Sequence, residues 1–241
     1  MIRTILIVVF VFFFLIAGIP VNWVVTLIGK KNPEKKDNIS LRFVQGGFRI
    51  VTFLSGVKLS VSGLENIPTD RGSVLIGNHR SYFDIVLLFP LMPRPTGFLA
   101  KDNLLKVPLL TTWMRNIHCL FLNRAETREG MKTILDAINE VKSGISLVIF
   151  PEGTREKTEG EVAAFHAGSF KVATKAGAPV VPVCLTHTGQ VLEDHWPKTR
   201  PVNVKIIFGE PVETAGMSRE EQVKLPERIR GWISETYKEN A

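Results

Sequence analysis

The chain has 241 residues, a hydrophobic fraction of 45% and a formal net charge of +7. The length suits one domain with an appendage, and the basic charge favours an anionic partner: a phospholipid surface, a nucleic acid or a phosphorylated substrate. The two cysteines, Cys119 and Cys184, form neither a CxxC motif nor a metal-ligand cluster, so a disulfide framework and a zinc site are not indicated and a reducing compartment is favoured.

The first predicted element is an apolar segment that belongs in a bilayer. Residues 5–19 are uninterrupted apolar sequence, and the apolar character resumes after Pro20. A continuous helix over residues 5–28 would be about 36 Å long, which is enough to cross a hydrocarbon core of about 30 Å. A helix that stopped at Pro20 would be too short, and the segment would turn back or lie in one leaflet. The sequence leaves both possibilities open.

Basic residues predict the orientation of this segment. Lys30, Lys31, Lys35 and Lys36 follow it, whereas only Arg3 precedes it. The positive-inside rule therefore places the remainder of the chain on the cytoplasmic side of the cell membrane. The rival interpretation, a cleaved signal peptide, lacks an A-x-A-like cleavage site.

A second helical pattern covers residues 41–57, with Arg42 and Arg49 near the side opposite the apolar residues. This pattern is typical of an interfacial helix whose arginines reach phosphate headgroups; a helix that covers the domain core is the alternative. We assign residues 1–56 to a membrane-anchoring helical segment and residues 57–241 to the main domain.

The rest of the chain alternates short apolar runs with helical patterns, which predicts an α/β domain with a mixed, largely parallel sheet flanked by helices. The candidate strands are VKLSV, SVLIG, GFLA, CLFLN, SLVIF, PVVPVCL and VNVKIIF. Helical spacing of apolar residues over 131–141 and 225–237 predicts two helices packed on this sheet.

The segment NHRSYFD, residues 78–84, directly follows a predicted strand, where side chains reach the ligand crevice of an α/β sheet. We expect a helix to begin at Ser81, with Asp84 in its first turn and His79 before it. Asp84 could then accept a hydrogen bond from one imidazole nitrogen and leave the other free to take a proton. A histidine and an aspartate at this spacing also occur by chance, and a structural histidine is the alternative.

Basic residues at other strand ends predict a phosphate site. In FPEGTR, Gly153 permits a tight turn, Arg155 offers a planar donor fork, and Glu152 can bind hydroxyl groups. Arg124 of FLNR and Lys101 follow two further predicted strands. Each of these residues alone is more often a solvated surface residue, but together they would converge on one edge of the sheet.

The segments NHRSYFD, FLNR, FPEGTR and APVVPV, in this order, resemble the four motif blocks of the glycerolipid acyltransferases, most closely the 1-acyl-sn-glycerol-3-phosphate acyltransferases. The similarity runs from residue 75 to residue 183. It implies a membrane-bound enzyme that moves a fatty acyl group from acyl-CoA or acyl carrier protein to the sn-2 hydroxyl of lysophosphatidic acid, giving phosphatidic acid. We expect no bound cofactor, no metal and no nucleic-acid partner.

The resemblance also implies roles for individual residues. His79 would deprotonate the acceptor hydroxyl, Asp84 would orient the His79 side chain, and Arg124 would bind the phosphate of the lysophospholipid. The full substrate-binding set is Lys101, Arg124, Glu152, Gly153, Thr154 and Arg155. Because the sequence has no G-x-S-x-G motif, direct transfer in a ternary complex is expected rather than a serine acyl-enzyme.

Four positions depart from the family pattern. His118 stands where the family commonly has Gly, Asn123 where it has Asp, Asn103 where it has Glu, and His166 where it has Lys. They leave the acceptor specificity open. The alternatives are glycerol 3-phosphate or another lysophospholipid as the acceptor, or a non-catalytic phospholipid-binding protein. A nucleic-acid-binding role is disfavoured because the basic residues lack a reading motif.

Overall fold

The computed structural model describes residues 1–123 and 126–241. The helices are α1 (Ile2–Gly29), α2 (Pro33–Ser55), α3 (Phe83–Leu88), α4 (Pro108–Asn116), α5 (Thr127–Lys142), α6 (Lys171–Ala176) and α7 (Arg219–Asn240). The strands are β1 (Lys58–Ser62), β2 (Val74–Gly77), β3 (Thr96–Lys101), β4 (Leu120–Leu122), β5 (Ser146–Ile149), β6 (Val180–Leu185) and β7 (Asn203–Phe208). All seven predicted strands are present within this part of the chain.

The strands form one mixed sheet in the order β1-β7-β6-β2-β5-β3-β4. Strands β6, β2, β5, β3 and β4 run parallel to one another, and β7 with β1 runs in the opposite direction. The predicted α/β class with a largely parallel sheet is therefore confirmed. Because the five parallel strands end at the same edge, the loops that follow β2 and β5 are neighbours there.

Helices cover both faces of the sheet, which explains why its central strands are apolar throughout. Alternate residues of a strand point to opposite faces. In β2, Leu75 belongs to the apolar cluster that includes residues of α2, α3 and α4, whereas Val74 and Ile76 belong to the cluster that includes residues of α5, α6 and α7. The predicted helices over 131–141 and 225–237 are both present, as α5 and α7.

Helix α1 continues through Pro20, so the continuous helix, one of the two possibilities left open, is the one observed. Within residues 1–123 and 126–241, α1 is the one helix long and apolar enough to cross a membrane. Its two ends contact the rest of the protein: the Thr4 hydroxyl donates to the Pro197 carbonyl at 2.9 Å, and the Asn116 amide donates to Asn22 Oδ1 at 2.7 Å. Helix α1 therefore lies alongside the α/β domain.

The outer face of α1 is apolar and exposed. Its exposed apolar side chains are Ile2, Ile5, Leu6, Val8, Val9, Val11, Phe12, Phe13, Ile16, Ile19, Trp23, Val24 and Leu27. The inner face packs closely, since a Cβ placed on Gly18 would lie 2.5 Å from Trp113 Nε1. Such a continuous exposed apolar surface is typical of contact with lipid or with another protein.

Helix α2 packs one face on the domain, with Leu41, Val44 and Val51 in the apolar core. This is the alternative in which the helix covers the core. The side chains of Ile50 and Phe53 are 44% and 81% exposed, so the opposite face still presents apolar surface. Local sequence sets the start of the helix, where the side chain of the cap residue Asn32 accepts a hydrogen bond from the Lys35 amide at 2.9 Å.

The His118 side chain contacts an acidic residue of α2 and another of α5. His118 has a positive φ of 61°, the conformation that glycine adopts most readily. Its Nδ1 lies 3.0 Å from Glu140 Oε2, and its Nε2 lies 3.2 Å from Asp37 Oδ1. Burial lowers the pKa of His118, but the hydrogen bond with Glu140 and the attraction of Asp37 outweigh it, so the pKa is raised. When the ring is protonated, it bridges an acidic side chain of α2 and one of α5.

Candidate active site

The site lies where β2 and β5 end. Asn78, the residue after β2, is buried and bonds with both groups of one backbone residue: its Nδ2 donates to the Leu185 carbonyl, and the Leu185 amide donates to its Oδ1, both at 2.9 Å. The side-chain amide thereby replaces the next backbone pair between β2 and β6. Because the main chain is released from the sheet at this point, it can turn and present His79.

The His79 side chain is held by a buried carboxylate. His79 Nδ1 lies 2.7 Å from Asp84 Oδ2, and the Asp84 side chain is 0% exposed. The same oxygen accepts the backbone amides of Arg80 at 2.7 Å and Ser81 at 2.8 Å. A carboxylate that accepts Nδ1–H fixes the imidazole tautomer and leaves the lone pair on Nε2 available for a proton.

The predicted helix start at Ser81 is wrong by two residues. Helix α3 begins at Phe83, although Asp84 does lie in its first turn and His79 precedes it, as expected. The Ser81 hydroxyl accepts the Phe83 amide at 2.9 Å, so it closes a turn before the helix. The Ser81 amide itself is bound by Asp84, which keeps residues 80–82 out of the helix and wrapped around the carboxylate.

Two contacts with the segment after β5 fix the rest of His79. Its ring stacks on Phe150, with 4.2 Å between ring centroids and 11° between the planes. Its backbone amide donates to Glu152 Oε1 at 2.7 Å. The imidazole is therefore restrained on its Nδ1 edge, on one face and through its main chain, while its side chain is 18% exposed.

The buried side chain of Glu152 binds backbone amides in this structure. Its second oxygen, Oε2, accepts the Ala163 amide at 3.1 Å, so both carboxylate oxygens are bound by backbone amides. Burial raises the pKa of Glu152 to about 7, against the lowering effect of these two hydrogen bonds. The predicted contact of Glu152 with an acceptor hydroxyl stays a prediction, whereas its contact with the His79 backbone is a positioning interaction that the sequence did not reveal.

The remaining residues of FPEGTR form the rim of the site. Gly153 has a φ of 75°, a left-handed turn that favours glycine, and Thr154 is exposed. The Arg155 guanidinium lies 3.9 Å from the centroid of the Tyr82 ring, a cation–π arrangement. Arg155 is therefore close to the turn that carries His79, as the shared sheet edge predicted.

An acidic pair from the loop between β6 and β7 also binds this turn. Glu193 Oε2 accepts the Ser81 hydroxyl at 2.6 Å, and Glu193 Oε1 accepts the Tyr82 amide at 2.8 Å. Asp194 Oδ1 accepts Arg80 Nη2 at 2.6 Å. Neither acidic residue was identified from the sequence, because they lie more than 100 positions from the turn that they bind and belong to no motif.

The other two predicted phosphate ligands are farther away or undetermined. Lys101 ends β3 at the same edge with an exposed side chain, two strands from β2, which corresponds to about 10 Å at the usual strand spacing. Arg124 lies outside the described residues. The structure thus brings His79, Asp84, Glu152 and Arg155 into one site and places Lys101 at its periphery.

Comparisons with known proteins show which proteins the chain resembles. The chain is 29% identical over 195 residues to the 1-acyl-sn-glycerol-3-phosphate acyltransferase of Borreliella burgdorferi, covering 81% of this chain and 78% of that protein. It is 29% identical over 188 residues to a chloroplastic 1-acyl-sn-glycerol-3-phosphate acyltransferase of Arabidopsis thaliana, covering 76% of this chain and 52% of that protein.

A solved structure shares the fold. The crystal structure of the 1-acyl-sn-glycerophosphate acyltransferase PlsC from Thermotoga maritima matches with a TM-score of 0.83 and 27% identity, covering 99% of this chain and 96% of that one. The sequence profile of the Acyltransferase family matches residues 58–186, more than half of the chain and the part that contains His79, Asp84 and Arg155. The resemblance in the motifs is thus confirmed, and the chain belongs to the Acyltransferase family.

Proposed function

We propose that this enzyme transfers a fatty acyl group from an acyl thioester, acyl-CoA or acyl carrier protein, to the sn-2 hydroxyl of lysophosphatidic acid, giving phosphatidic acid. The observation that carries the proposal is the contact of 2.7 Å between His79 Nδ1 and Asp84 Oδ2 at the carboxyl edge of the sheet. The names of the relatives support the acceptor and the product. The acyl thioester donor is proposed from the resemblance of the motifs to the glycerolipid acyltransferases.

In the proposed mechanism His79 is the general base. Asp84 keeps the proton on Nδ1, so Nε2 takes the proton from the acceptor hydroxyl while the hydroxyl oxygen attacks the thioester carbonyl carbon. The buried carboxylate stabilises the imidazolium that forms. When the tetrahedral intermediate collapses, the carbon–sulfur bond breaks, and the imidazolium returns its proton to the departing thiolate. General-base catalysis of this kind contributes about 10² to 10⁴ in rate.

We expect the lysophospholipid phosphate to be bound by cationic side chains on the same edge. Arg155 is the candidate with defined geometry, since it is near the His79 turn and its side chain is 36% exposed. A planar guanidinium fork suits phosphate oxygens. Arg124 and Lys101 are expected to contribute further positive charge, with Gly153 and Thr154 forming the rim next to the acceptor.

The exposed apolar face of α1 places the enzyme at a membrane in this proposal. Since both ends of α1 contact the α/β domain, we expect the helix to enter the bilayer along its exposed side while the domain stays at the surface. The lysines that follow α1 favour the cytoplasmic surface of the cell membrane. An acceptor that resides in the membrane would then reach His79 without leaving the lipid phase.

An acceptor panel tests the proposal. The purified full chain, in mixed micelles with acyl-CoA or acyl carrier protein as the donor, is given lysophosphatidic acid, glycerol 3-phosphate or lysophosphatidylcholine. We expect phosphatidic acid from the first acceptor as the main product. A clear preference for glycerol 3-phosphate would reassign the acceptor, and phospholipid binding without turnover on any acceptor would contradict an enzymatic role.

A further inference from the structure

We infer that Glu193 is a positioning residue for this reaction, which holds the Arg155 guanidinium where the phosphate of the acceptor binds. The inference rests on the proposed function, and it adds a residue from outside the motif blocks to the acceptor site. Glu193 lies in the short helical turn Glu193–His195 between β6 and β7. Its side chain is 17% exposed, which is unusual for a carboxylate without a structural or binding partner.

The carboxylate of Glu193 joins two separate segments of the site. Oε1 accepts Arg155 Nη1 at 3.0 Å and the Tyr82 amide at 2.8 Å, and Oε2 accepts the Ser81 hydroxyl at 2.6 Å. One side chain thus fixes Arg155 relative to the turn that carries His79. This matters because a general base acts only when the acceptor hydroxyl is held within hydrogen-bond reach.

Arg155 is held from two sides and keeps free donors. The Tyr82 ring supports the guanidinium plane at 3.9 Å, and the Tyr82 hydroxyl accepts Nη2 at 3.3 Å. A guanidinium has five N–H donors; among the described residues Glu193 and Tyr82 take one each, which leaves three for phosphate oxygens. The geometry is therefore that of a preorganised anion-binding group.

The charge of Glu193 matters as well as its hydrogen bonds. Two acceptor oxygens serve three donors, and the negative charge keeps the guanidinium in place when no phosphate is bound. Glutamine can keep one oxygen for Arg155 and the Tyr82 amide and can donate its NH₂ group to the Ser81 hydroxyl, but it lacks the negative charge that attracts the guanidinium. Alanine would remove both the charge and the hydrogen bond and, among the described residues, leave Arg155 held by Tyr82 alone. The turn itself would keep a second support, because Asp84 binds the amides of Arg80 and Ser81.

This difference separates positioning of Arg155 from support of the catalytic turn. If Glu193 acts through Arg155, its removal weakens acceptor binding, raises the KM for lysophosphatidic acid and changes kcat little. If Glu193 only supports the His79 turn, its removal lowers kcat for every acceptor. If the Glu193 carboxylate instead competes with phosphate for Arg155, its removal lowers the KM.

The test is a double-mutant cycle in the full-length enzyme with lysophosphatidic acid. We expect Glu193→Ala and Arg155→Ala each to raise the KM for lysophosphatidic acid about 10- to 100-fold, with the KM for the acyl thioester within about threefold of wild type. Because both act on one group, the double variant should be no worse than Arg155→Ala alone. Glu193→Gln, which keeps the size of the side chain, should give a smaller increase in KM.

Glu213→Ala is the matched control, since it removes an exposed carboxylate paired with Arg71 before β2, at the opposite edge of the sheet. It should leave both KM values unchanged. An unchanged or lowered KM for lysophosphatidic acid in Glu193→Gln and Glu193→Ala, or additive losses in the double variant, would overturn the inference. Activity of the wild type on lysophosphatidic acid is measured first, so a failure of the proposed function is recognised separately.

Discussion

The substitution Asp84→Asn tests the acid–base pair with the least change in shape. Asp84 Oδ2 accepts hydrogen bonds from His79 Nδ1 and from two backbone amides. The amide oxygen of asparagine can take this position and preserve all three contacts. Its NH₂ group then occupies the place of Oδ1, which is buried without a hydrogen-bond partner among the described residues.

Two effects of known size follow. An unsatisfied buried donor costs about 1–3 kcal/mol; because it replaces an oxygen that is already unpaired among the described residues, the free energy of unfolding should fall by no more than this amount. The neutral amide no longer stabilises the imidazolium that forms at His79, so most of the general-base contribution is lost. A loss of about 10² to 10⁴ in kcat corresponds to about 3–5 kcal/mol in the activation free energy.

The assay measures thiol release from the acyl thioester together with phosphatidic acid formation, at saturating lysophosphatidic acid. We expect the KM for lysophosphatidic acid to stay within about threefold of wild type, because the phosphate-binding groups are untouched. Asp70→Asn, a change at an exposed loop residue, serves as the control and should be fully active. A folded Asp84→Asn enzyme with a kcat within about tenfold of wild type would refute the role assigned to this carboxylate.

Three further predictions concern the scaffold. Asn78→Ala should lower the free energy of unfolding by about 2–5 kcal/mol in urea titrations, because it strands the buried amide and carbonyl of Leu185. His118→Gly should lower the free energy of unfolding most below about pH 6.5 and less as the pH rises. Because the pKa of His118 is raised in the folded protein, its charge stabilises the fold fully below the pKa of the unfolded chain, and this stabilisation is lost as the pH rises through the pKa of the folded protein. Urea titrations from about pH 5.5 to about pH 9 measure this dependence. Replacing Phe12 and Phe13 by Glu should reduce co-sedimentation with anionic phospholipid vesicles more than tenfold, at about 1.5–3 kcal/mol per aromatic side chain.

Controls and contrary outcomes differ among these experiments. Asn38→Ala, at an exposed position of α2, should leave stability nearly unchanged. An equally small effect of Asn78→Ala would contradict the stabilising role assigned to its two hydrogen bonds with Leu185. A pH-independent effect of His118→Gly would show that its ring acts by packing rather than by charge. Val223→Glu, on the exposed face of α7, should not alter vesicle binding; equal losses in both variants would point to non-specific effects.

The sheet was predictable because its strands are short apolar runs bounded by polar turns. Leu75 and its neighbours in β2 are fully buried, and only a strand covered on both faces gives such a continuous apolar pattern. The position of His79 followed from the same reasoning, since parallel strands end at one edge. The proximity of His79 and Asp84 also followed, because a carboxylate in the first turn of a helix can reach back to the residues before it.

The exact turn was not predictable. Ser81 has the chemistry of a helix cap, but its amide is bound by the Asp84 side chain and its hydroxyl donates to Glu193. A long-range contact thus competes with the local capping signal and delays the helix to Phe83. Local patterns contain no information about such a partner, so the sequence predicted the earlier start.

The residues that support His79 were not predictable for the same physical reason. Glu152 has the residue type expected for an acceptor-binding group, yet both of its oxygens bind backbone amides, and an amide of Ala163 leaves no sequence signal. The continuity of α1 through Pro20 was equally open, because packing along the domain, seen at Asn22, compensates for the backbone hydrogen bond that proline removes.

The most direct test of His79 as the general base compares the conversion of lysophosphatidic acid to phosphatidic acid by the wild type and by His79→Ala. Binding of each protein to phospholipid vesicles that contain lysophosphatidic acid is measured on the same samples. We expect the wild type to form phosphatidic acid, and His79→Ala to bind the vesicles equally well but to lose at least about 10²-fold in kcat. Turnover by His79→Ala near the wild-type rate, or a covalent acyl-enzyme trapped from the wild type, would contradict this mechanism.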